Sequence, residues 1–481
     1  MLDTDQCYRA VLTRDARFDG RFFVAVKTTK VYCRPICRVK TPLRKNCSFF
    51  THAAAAEAAG YRPCKRCRPE LAPGASLMEV SSELARAALA LISGDFLAEN
   101  SLEDLATKLG VTDRHMRKVF QDEFGVSPVE YAQTQRLLLA KQLLTDSRLT
   151  ITEVALASGF RSLRRFNVAL KERYRMTPTE LRKVKKAKAR ANSFEFLFRL
   201  AYRQPFDWER LLSFLSRRAI PGVEVVEDGA YWRTVRAFRQ GREFTGRIEV
   251  RHDAAARMIG VHVSNELIPS CAMVLDRVKR LFDLQADPAS INAVLGGLSQ
   301  GRAGLRVPGS FDGFEMAVRA ILGQQVSVAA ASTLAGRLVA KFGTPLSEPT
   351  VSLTHLFPLT STLARAGAGA LGQLGITSGR ARTLIALAQA MDRGDLLLEP
   401  GHRVEETLKK LRQIPGIGEW TAQYIAMRAL AWPDAFPHND LGILKALKGK
   451  NPRKILETTE KWRPWRAYAA LHLWARLEKK S

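Results

Sequence analysis

The spacing of apolar positions changes three times along the chain, and each change marks a predicted domain boundary. A stretch with one strand-like run comes first, then one at helical spacing throughout, then a mixed one, then a second helical stretch interrupted by Gly and Pro. At 481 residues the chain is too long for one hydrophobic core. The predicted domains span residues 1–75, 80–190, 194–285 and 286–481.

Two of these domains combine strand and helix signals. In the first, the apolar run Phe22–Val26 predicts a strand, and the alanine-rich residues 52–60 predict a short helix that ends at Gly60. In the third, polar and apolar positions alternate over Phe194–Leu200 and again over Arg247–Val263, as they do in half-buried strands. The predicted fold is therefore multidomain and mostly α, with α+β parts.

The second domain contains two similar units, which begin at Ser101 and, about 49 residues later, at Thr150. Each has a capping residue, a short helix, a turn at Gly110 or Gly159, and a second helix with basic residues on one side. This arrangement predicts a double helix-turn-helix, with two helices in successive major grooves of DNA. The first residues of these second helices are expected to reach base edges or phosphates, and the alternative for each is a solvated surface charge. Those residues are Arg114, Arg117, Ser162, Arg164 and Arg165.

The net charge of +28 points to a partner. So large an excess of Lys and Arg, spread over folded stretches, favours a polyanion, and nucleic acid more than a membrane surface. A basic run at 183–193 is expected to form a helix extension or linker that touches phosphate. No run of about 18 apolar residues occurs, and the N-terminus lacks a secretory pattern. We therefore expect no membrane partner and a cytoplasmic, nucleoid-associated location.

Four of the seven cysteines have the spacing of a zinc site. Three residues separate Cys33 from Cys37, two separate Cys64 from Cys67, and 26 lie between the pairs, so the pairs can meet around one tetrahedral Zn²⁺. A purely structural zinc is the alternative, whereas the odd cysteine count disfavours a disulfide framework. Basic neighbours favour a site that faces a phosphate backbone. They are Arg34, Arg38, Lys40, Arg44, Lys45, Arg62, Lys65, Arg66 and Arg68.

The last domain contains a glycine turn between two helical stretches. Within Ile414–Gly418, Gly416 and Gly418 leave no side chain to block a phosphate, and the N-terminus of the following helix adds partial positive charge. The pattern predicts a helix-hairpin-helix that grips the DNA backbone without reading its sequence. Asp440 follows about twenty residues later, and capping a helix is the alternative role for it.

Beyond this motif, residues 304–335, residues 462–474 and the run F-D-W-E-R-L-L-S-F-L from Phe206 resemble the 3-methyladenine DNA glycosylase II family of the helix-hairpin-helix superfamily. The resemblance covers nearly all of 194–481. It implies an α+β domain similar to the TATA-binding protein, followed by an all-α glycosylase core without a cofactor. It also puts Asp440 in the catalytic role, because a carboxylate stabilises oxocarbenium character on the sugar.

The same resemblance implies a base pocket. Trp420, Tyr424, Trp474 and Phe214 would offer aromatic faces to a flipped base, and cation–π attraction would favour alkylated purines, which carry positive charge. For each tryptophan taken alone, core packing is the alternative. Trp420 occupies the position of the amine nucleophile of bifunctional relatives. We therefore expect a monofunctional enzyme that leaves an intact abasic site.

Two positions depart from the family pattern. Gln325 stands where the best-known relatives place a leucine wedge in the gap left by the flipped base. Leu441 replaces the aromatic residue that commonly follows the catalytic Asp. A polar wedge can still fill the stack, whereas Leu441 removes an aromatic wall. The lesion range is the property that these departures affect.

Around the cysteines, the stretches D-G-R-F-F-V-A-V-K-T-T-K-V-Y-C-R-P-I-C-R from Asp19 and G-Y-R-P-C-K-R-C-R-P-E from Gly60 resemble the methylphosphotriester-sensing domain of Ada-type adaptive-response regulators. The double helix-turn-helix resembles the AraC-type domain that follows it in that family. The resemblance implies that the four cysteines bind one Zn²⁺ and that Cys33 accepts a methyl group from a DNA methylphosphotriester. The methylated cluster, being less negative, would bind promoter DNA more tightly.

The predicted function is an alkylation-damage sensor that activates transcription and also excises bases of 3-methyladenine type. Expected partners are double-stranded, alkylated and promoter DNA and RNA polymerase, and a monomer suffices because one chain carries two helix-turn-helix units. The alternative is a DNA-binding regulator whose C-terminal half is only a non-catalytic clamp. Cys7, Cys47 and Cys271 are expected to be buried thiols without a role, and His52 to be a helix cap or a surface residue.

Overall fold

The structure, a computed structural model, describes residues 3–74, 80, 82–182, 196–400, 403–449 and 451–477. The basic run predicted at 183–193 lies outside the described residues, as do the first two positions of the predicted strand 194–200. Helices dominate the described residues, and strands occur in the N-terminal module, in the mixed stretch and as one short pair within the last predicted domain. The predicted fold class is confirmed.

The α-helices of the described residues are these. They are α1 (Thr4–Thr13), α2 (Ala53–Ala58), α3 (Glu83–Ser93), α4 (Phe96–Glu99), α5 (Leu102–Lys108), α6 (Asp113–Phe124), α7 (Pro128–Asp146), α8 (Ile151–Ala157), α9 (Leu163–Tyr174), α10 (Pro178–Arg182), α11 (Trp208–Ser216), α12 (Cys271–Leu281), α13 (Pro288–Leu295), α14 (Gly313–Leu322), α15 (Val328–Phe342), α16 (Thr360–Ala364), α17 (Ala368–Gly372), α18 (Ser378–Asp392), α19 (Val404–Gln413), α20 (Glu419–Arg428), α21 (Leu441–Ala446), α22 (Pro452–Thr459) and α23 (Arg466–Leu477).

The strands of the described residues belong to three sheets. They are β1 (Phe23–Val26), β2 (Val31–Cys33), β3 (Cys47–Phe50), β4 (Arg62–Pro63), β5 (Phe196–Ala201), β6 (Glu224–Glu227), β7 (Ala230–Arg239), β8 (Arg242–Asp253), β9 (Met258–Val263), β10 (Thr344–Pro345) and β11 (His355–Leu356). None of the helices in the described part of the chain is long and apolar enough to cross a membrane.

The chain forms two compact units. The first comprises Met1–Arg203 and Arg236–Asp276, and the second comprises Gln204–Val235 and Arg277–Ser481. The division falls within strand β7. The predicted domain 194–285 thus contributes to both units.

In the first unit, the N-terminal module is a four-stranded sheet in the order β3-β1-β2-β4. Strand β1 pairs antiparallel with β2 and β3, whereas β2 pairs in parallel with β4, with Tyr32 opposite Pro63. Because parallel strands end at the same edge of a sheet, Cys33 at the end of β2 and Cys64 just after β4 lie together. This register explains how two cysteine pairs far apart in sequence reach one place.

The helix-turn-helix units follow in the same unit. Ser101 caps α5 and Thr150 caps α8, each in a reciprocal capping box with the acidic residue three positions on. Helices α6 and α9 follow their glycine turns, and the 19-residue α7 connects the first helix-turn-helix to the second. Buried aromatic side chains on the inner faces, such as Phe120 and Phe166, leave the basic faces outside. The predicted double helix-turn-helix is confirmed.

The alternation predicted in the mixed stretch also appears in the structure. In the first unit β5 and β8 both pair antiparallel with β9, and β7 lies beside β8. Phe196, Phe198 and Leu200 of β5 point into the core. In the second unit β6 pairs antiparallel with the first part of β7. Apart from the short pair β10–β11, the described rest of that unit is helical, with α14 buried on nearly every face.

Candidate functional site

The four predicted zinc ligands lie together. The Sγ atoms of Cys33, Cys37, Cys64 and Cys67 are all within 4.8 Å of one another, among the described residues. Sulfurs bound to one zinc at about 2.3 Å are about 3.8 Å apart in a tetrahedron, so a small relaxation fits them to the ion. Three of these side chains are buried and Cys67 is half-buried. The all-sulfur donor set suits Zn²⁺.

Backbone N–H groups reach three of the four sulfurs. Arg34 N–H donates to Cys67 Sγ at 3.3 Å, Val39 N–H donates to Cys37, and the N–H of Cys67 donates to Cys64. A sulfur that accepts a hydrogen bond shares its negative charge and becomes a weaker nucleophile.

The basic residues around the cluster have two different roles. Arg34 is only 6% exposed, forms a buried ion pair with Asp19, and donates to the Cys67 carbonyl at 3.2 Å. Arg68 pairs with Glu70 and Asp146, the latter at the end of α7. The prediction that these two arginines face a phosphate backbone is therefore wrong, because both hold the module together. The members of the predicted set that are exposed are Arg38, Lys40, Lys45, Lys65 and Arg66.

The residues expected to face DNA are mostly on the surface. Arg114 and Arg117 of α6 and Arg164 and Arg165 of α9 are exposed, and Arg117 forms a surface ion pair with Asp113. Ser162 is the N-cap of α9, and its hydroxyl accepts a hydrogen bond from Arg165 N–H.

The residues predicted to have no part in a site lie as follows. Cys7, Cys47 and Cys271 are buried, and His52 precedes α2 with its ring 5.0 Å from that of Phe124.

The hairpin between α19 and α20 depends on Gly416. Its φ is +91°, and an added Cβ would lie 2.2 Å from Thr383 Oγ1, which donates to the Pro415 carbonyl at 2.8 Å. Gln324 supports the same turn by donating to the Gly416 carbonyl at 2.9 Å. Gly418 is the N-cap of α20, and nothing lies within 4 Å of the Cβ it lacks.

Alanine substitutions at Gly416 and Gly418 are expected to affect different properties, the first the stability of the fold and the second the affinity for DNA. Gly416→Ala should lower the free energy of unfolding by about 2 kcal/mol or more, because of the contact with Thr383 and the left-handed backbone. Gly418→Ala should leave that free energy unchanged and weaken DNA binding, because its methyl group enters the space for a phosphate. Thermal unfolding and binding to an undamaged duplex check both. Equal stability of the two variants would contradict the geometry.

Asp440 caps a helix and is also held by both tryptophans. Its Oδ1 accepts from the Ile443 N–H at 2.9 Å, so the alternative role as N-cap of α21 is present. In addition, Trp474 Nε1–H donates to Oδ1 and Trp420 Nε1–H donates to Oδ2, each at 2.8 Å. Both oxygens are therefore held by donors from two other helices. The carboxylate is fixed in orientation and remains half-buried.

Three of the four aromatic residues predicted to form the pocket contact one another, and the fourth, Phe214, packs against arginines. Trp420 and Tyr424 stack with ring centroids 5.1 Å apart and an angle of 11°, and Tyr424 meets Trp474 edge-on at 6.5 Å. A base has no room between Trp420 and Tyr424, so only their outer faces can take one. Phe214 contacts two guanidiniums, those of Arg218 at 3.8 Å and Arg428 at 4.9 Å.

Buried arginines behind the aromatic set were not anticipated. Arg428 donates to the Tyr424 hydroxyl at 2.8 Å and to the Gly309 carbonyl at 3.0 Å. Burial alone would raise the pKa of Tyr424, but the positive charges of Arg428 and Arg218 outweigh it and lower that pKa. In sequence nothing distinguishes these arginines from the many on the surface.

The cavity next to this set is cationic. It encloses about 600 Å³ together with its open mouth, and Phe214 and Trp474 form part of its wall. Asp207 is its one acidic lining residue. The arginines that line it are Arg210, Arg217, Arg218 and Arg306. A cationic base that enters here needs the aromatic faces to offset the positive field.

The two departures from the family pattern are both on the surface. Gln325 lies in the loop between α14 and α15, is exposed and has φ +54°. The carbonyl before it accepts a hydrogen bond from Arg380, which anchors the loop. Leu441 is 83% exposed at the start of α21.

Models of four protein families match the chain. They are the metal binding domain of Ada (residues 6–70), a helix-turn-helix domain (105–184), the AlkA N-terminal domain (197–312) and the HhH-GPD superfamily of base excision DNA repair proteins (318–464).

Relatives agree with these matches. The probable bifunctional transcriptional activator/DNA repair enzyme AlkA of Mycobacterium tuberculosis H37Rv is 39% identical, over 99% of this chain and 97% of that protein. DNA-3-methyladenine glycosylase 2 of Escherichia coli K12 is 39% identical over 58% of this chain and 96% of its own length. Among solved structures, a 3-methyladenine DNA glycosylase from Archaeoglobus fulgidus shares the fold, with TM-score 0.51 and 23% identity, over 59% of this chain and 99% of that one.

Proposed function

Because the chain belongs to the family of bifunctional transcriptional activators and DNA repair enzymes, we propose that it excises bases of 3-methyladenine type as a monofunctional glycosylase. In the same chain, its N-terminal part senses methylated phosphates and activates transcription. The observation that carries the glycosylase is the Asp440 carboxylate, held on both oxygens by indole N–H groups. The partners are double-stranded, alkylated and promoter DNA and RNA polymerase, and the protein acts as a cytoplasmic monomer.

Asp440 is the residue that meets the reacting sugar. As the C1′–N bond breaks, its electron pair leaves with the base, and C1′ gains positive charge that the carboxylate stabilises. Water then adds its hydroxyl to C1′ and releases a proton, which leaves an abasic sugar and a free base. Trp420 and Trp474 are positioning residues, because their N–H groups fix the carboxylate before the reaction begins.

A monofunctional reaction is supported by Trp420. A lyase needs a primary amine that forms a Schiff base with the sugar. At the position where bifunctional relatives carry it, the indole of Trp420 has its N–H engaged by Asp440 at 2.8 Å. The product is thus an intact abasic site, and the glycosylase needs no cofactor.

Trp474→Phe is expected to lower base release by about 10-fold, because the ring stays apolar while Asp440 Oδ1 loses one of its two donors. Trp465→Phe is the matched control, since Trp465 packs edge-on against Tyr468 and has no part in the site. The measurement is single-turnover release of 3-methyladenine from methylated duplex DNA. An equal effect in both variants would mean that Trp474 acts only through packing.

The sensing reaction is assigned to Cys33. Zinc, when bound, keeps the four sulfurs as thiolates with a net charge of about −2. The Cys33 sulfur attacks the methyl carbon of a phosphotriester, the C–O bond breaks, and its electron pair restores the charged phosphodiester. This choice rests on the resemblance to Ada-type regulators, because Cys33 is the first cysteine of the C-R-P-I-C motif. The hydrogen bond that Cys67 Sγ accepts from Arg34 N–H weakens one competing nucleophile.

Promoter binding is assigned to α6 and α9. Methylation removes one negative charge from the cysteine cluster, so repulsion of the DNA backbone falls. The exposed Arg114, Arg117, Arg164 and Arg165 then supply contacts to bases or phosphates. Ser162 acts by capping α9.

A further inference from the structure

Within the first unit, a hairpin of the mixed α+β segment contacts α4, the short helix that precedes the first helix-turn-helix and binds the residue before α9. Arg239, the last residue of β7, places its guanidinium 3.6 Å from the Asp95 carboxylate and 3.9 Å from that of Glu99. The N–H of Gln240 donates to Glu99 Oε1 at 2.8 Å. The tip of the β7–β8 hairpin therefore grips α4 through both acidic groups that flank it.

Helix α4 in turn holds the start of the second recognition helix. Arg161 Nε donates to the Ala98 carbonyl at 3.1 Å, and its Nη2 donates to the Glu99 carbonyl at 2.8 Å. Arg161 immediately precedes Ser162, the N-cap of α9. A chain of direct contacts thus runs from the hairpin tip through α4 to α9.

The turn before α9 rests on the same acidic residue. Gly159 has φ +90°, and a Cβ there would lie 3.2 Å from Asp95 Oδ1 and 3.0 Å from Arg136 Nε. Asp95 thus lies between Arg136 of α7, at 3.8 Å, and Arg239 of the hairpin. Its side chain is 17% exposed and that of Arg239 is 13% exposed, so water screens the pair only in part.

A second contact holds α8. The Sγ of Cys271, a fully buried residue at the start of α12, lies 3.6 Å from the carbonyl of Ala157, the last residue of α8. The first helix-turn-helix has a different support, since His52 and Ala54 of the cysteine module pack against its core. The cysteine module thus supports the first unit, whereas the hairpin reaches the second through α4, which packs against the core of the first.

We propose that residues 236–276 of the α+β segment are the docking surface for the second helix-turn-helix, and that Arg239 and Asp95 are positioning residues for the recognition helix α9. A segment that resembles part of a repair enzyme thereby fixes the orientation of α9, one of the two helices expected to contact DNA. The reading of DNA by α9 rests on the proposed function, whereas the docking itself does not.

Hydrogen exchange of the full-length protein without DNA tests the docking. Arg239→Met should speed exchange of amides in residues 151–174 by about five-fold, because the partly buried ion pairs of Arg239 with Asp95 and Glu99 are both lost. Arg242→Met, an exposed arginine of the same hairpin, is the matched control and should leave those rates unchanged. Release of 3-methyladenine should stay at the wild-type level in both. Unchanged exchange in Arg239→Met would overturn the proposal.

Binding to a duplex of the chain's own promoter then separates docking from direct DNA contact. A double-mutant cycle of Arg239→Met and Asp95→Asn should show coupling, with the double variant about as weak as the single ones. If the two effects instead add, and Arg239→Met lowers the salt dependence of binding by about one charge, then Arg239 contacts a phosphate and the proposal is wrong. If no variant or wild-type protein binds, the exchange result still decides the docking.

Discussion

Asp440→Asn is expected to reduce release of 3-methyladenine from methylated duplex DNA by about 10²- to 10³-fold, with DNA affinity retained. The amide keeps the shape of the side chain and can still cap α21, but it carries no negative charge to stabilise the developing cation on the sugar. Its oxygen can accept from only one of the two tryptophan indoles, while its nitrogen faces the other as a second donor. Single-turnover release of base and a binding assay on the same duplex give both quantities.

The control for this variant is Asp392→Asn. Asp392 is an exposed carboxylate at the end of α18, where Thr360 contacts it at 3.3 Å. It should release base at the wild-type rate. If Asp440→Asn also did so, the C-terminal half would be a DNA clamp, in which the hairpin binds DNA and the carboxylate only caps a helix. Loss of DNA affinity together with release would instead indicate a folding defect.

Cys64→Ala is expected to remove the bound zinc and to unfold the N-terminal module. Apparent free energies of zinc binding by structural sites are about 10–16 kcal/mol, far more than a sheet of short strands can supply. Three sulfurs would remain around the position where the parallel strands β2 and β4 end. Zinc content per chain should fall from one to none, and protease sensitivity of residues 3–71 should rise.

Cys47→Ala is the matched control for zinc loss. Cys47 is equally buried in β3, and its thiol contacts the Leu43 carbonyl at 3.4 Å instead of the cluster. Its loss should leave the zinc content at one. If Cys64→Ala kept its zinc with full occupancy, the four cysteines would not be the ligand set.

The sequence predicted those parts of the sites that depend on local spacing. The cysteine pairs, the capped helix-turn-helix units and the glycine hairpin are each determined within about thirty residues, and all appear as predicted. The meeting of the two cysteine pairs depends additionally on the parallel register of β2 and β4, which spacing does not specify.

Hydrogen bonds between residues far apart in the sequence could not be predicted from motif spacing. Trp420 and Trp474 were predicted as aromatic faces, yet the structure uses their N–H groups on a carboxylate 20 and 34 residues away. The sequence contains no sign of this, because an indole can pack, stack or donate. Burial of charge was equally hidden, since Arg34 and Arg428 resemble surface arginines until their partners are known.

The most direct test of the account is a single incubation of the full-length, zinc-loaded protein with methylated duplex DNA, analysed for both products. We expect free 3-methyladenine in solution, together with the mass of one methyl group on the peptide that contains Cys33. Released base with every cysteine peptide unmodified would contradict the sensor and leave a purely structural zinc. A methylated Cys33 without released base would contradict the glycosylase and leave a regulator with a DNA clamp.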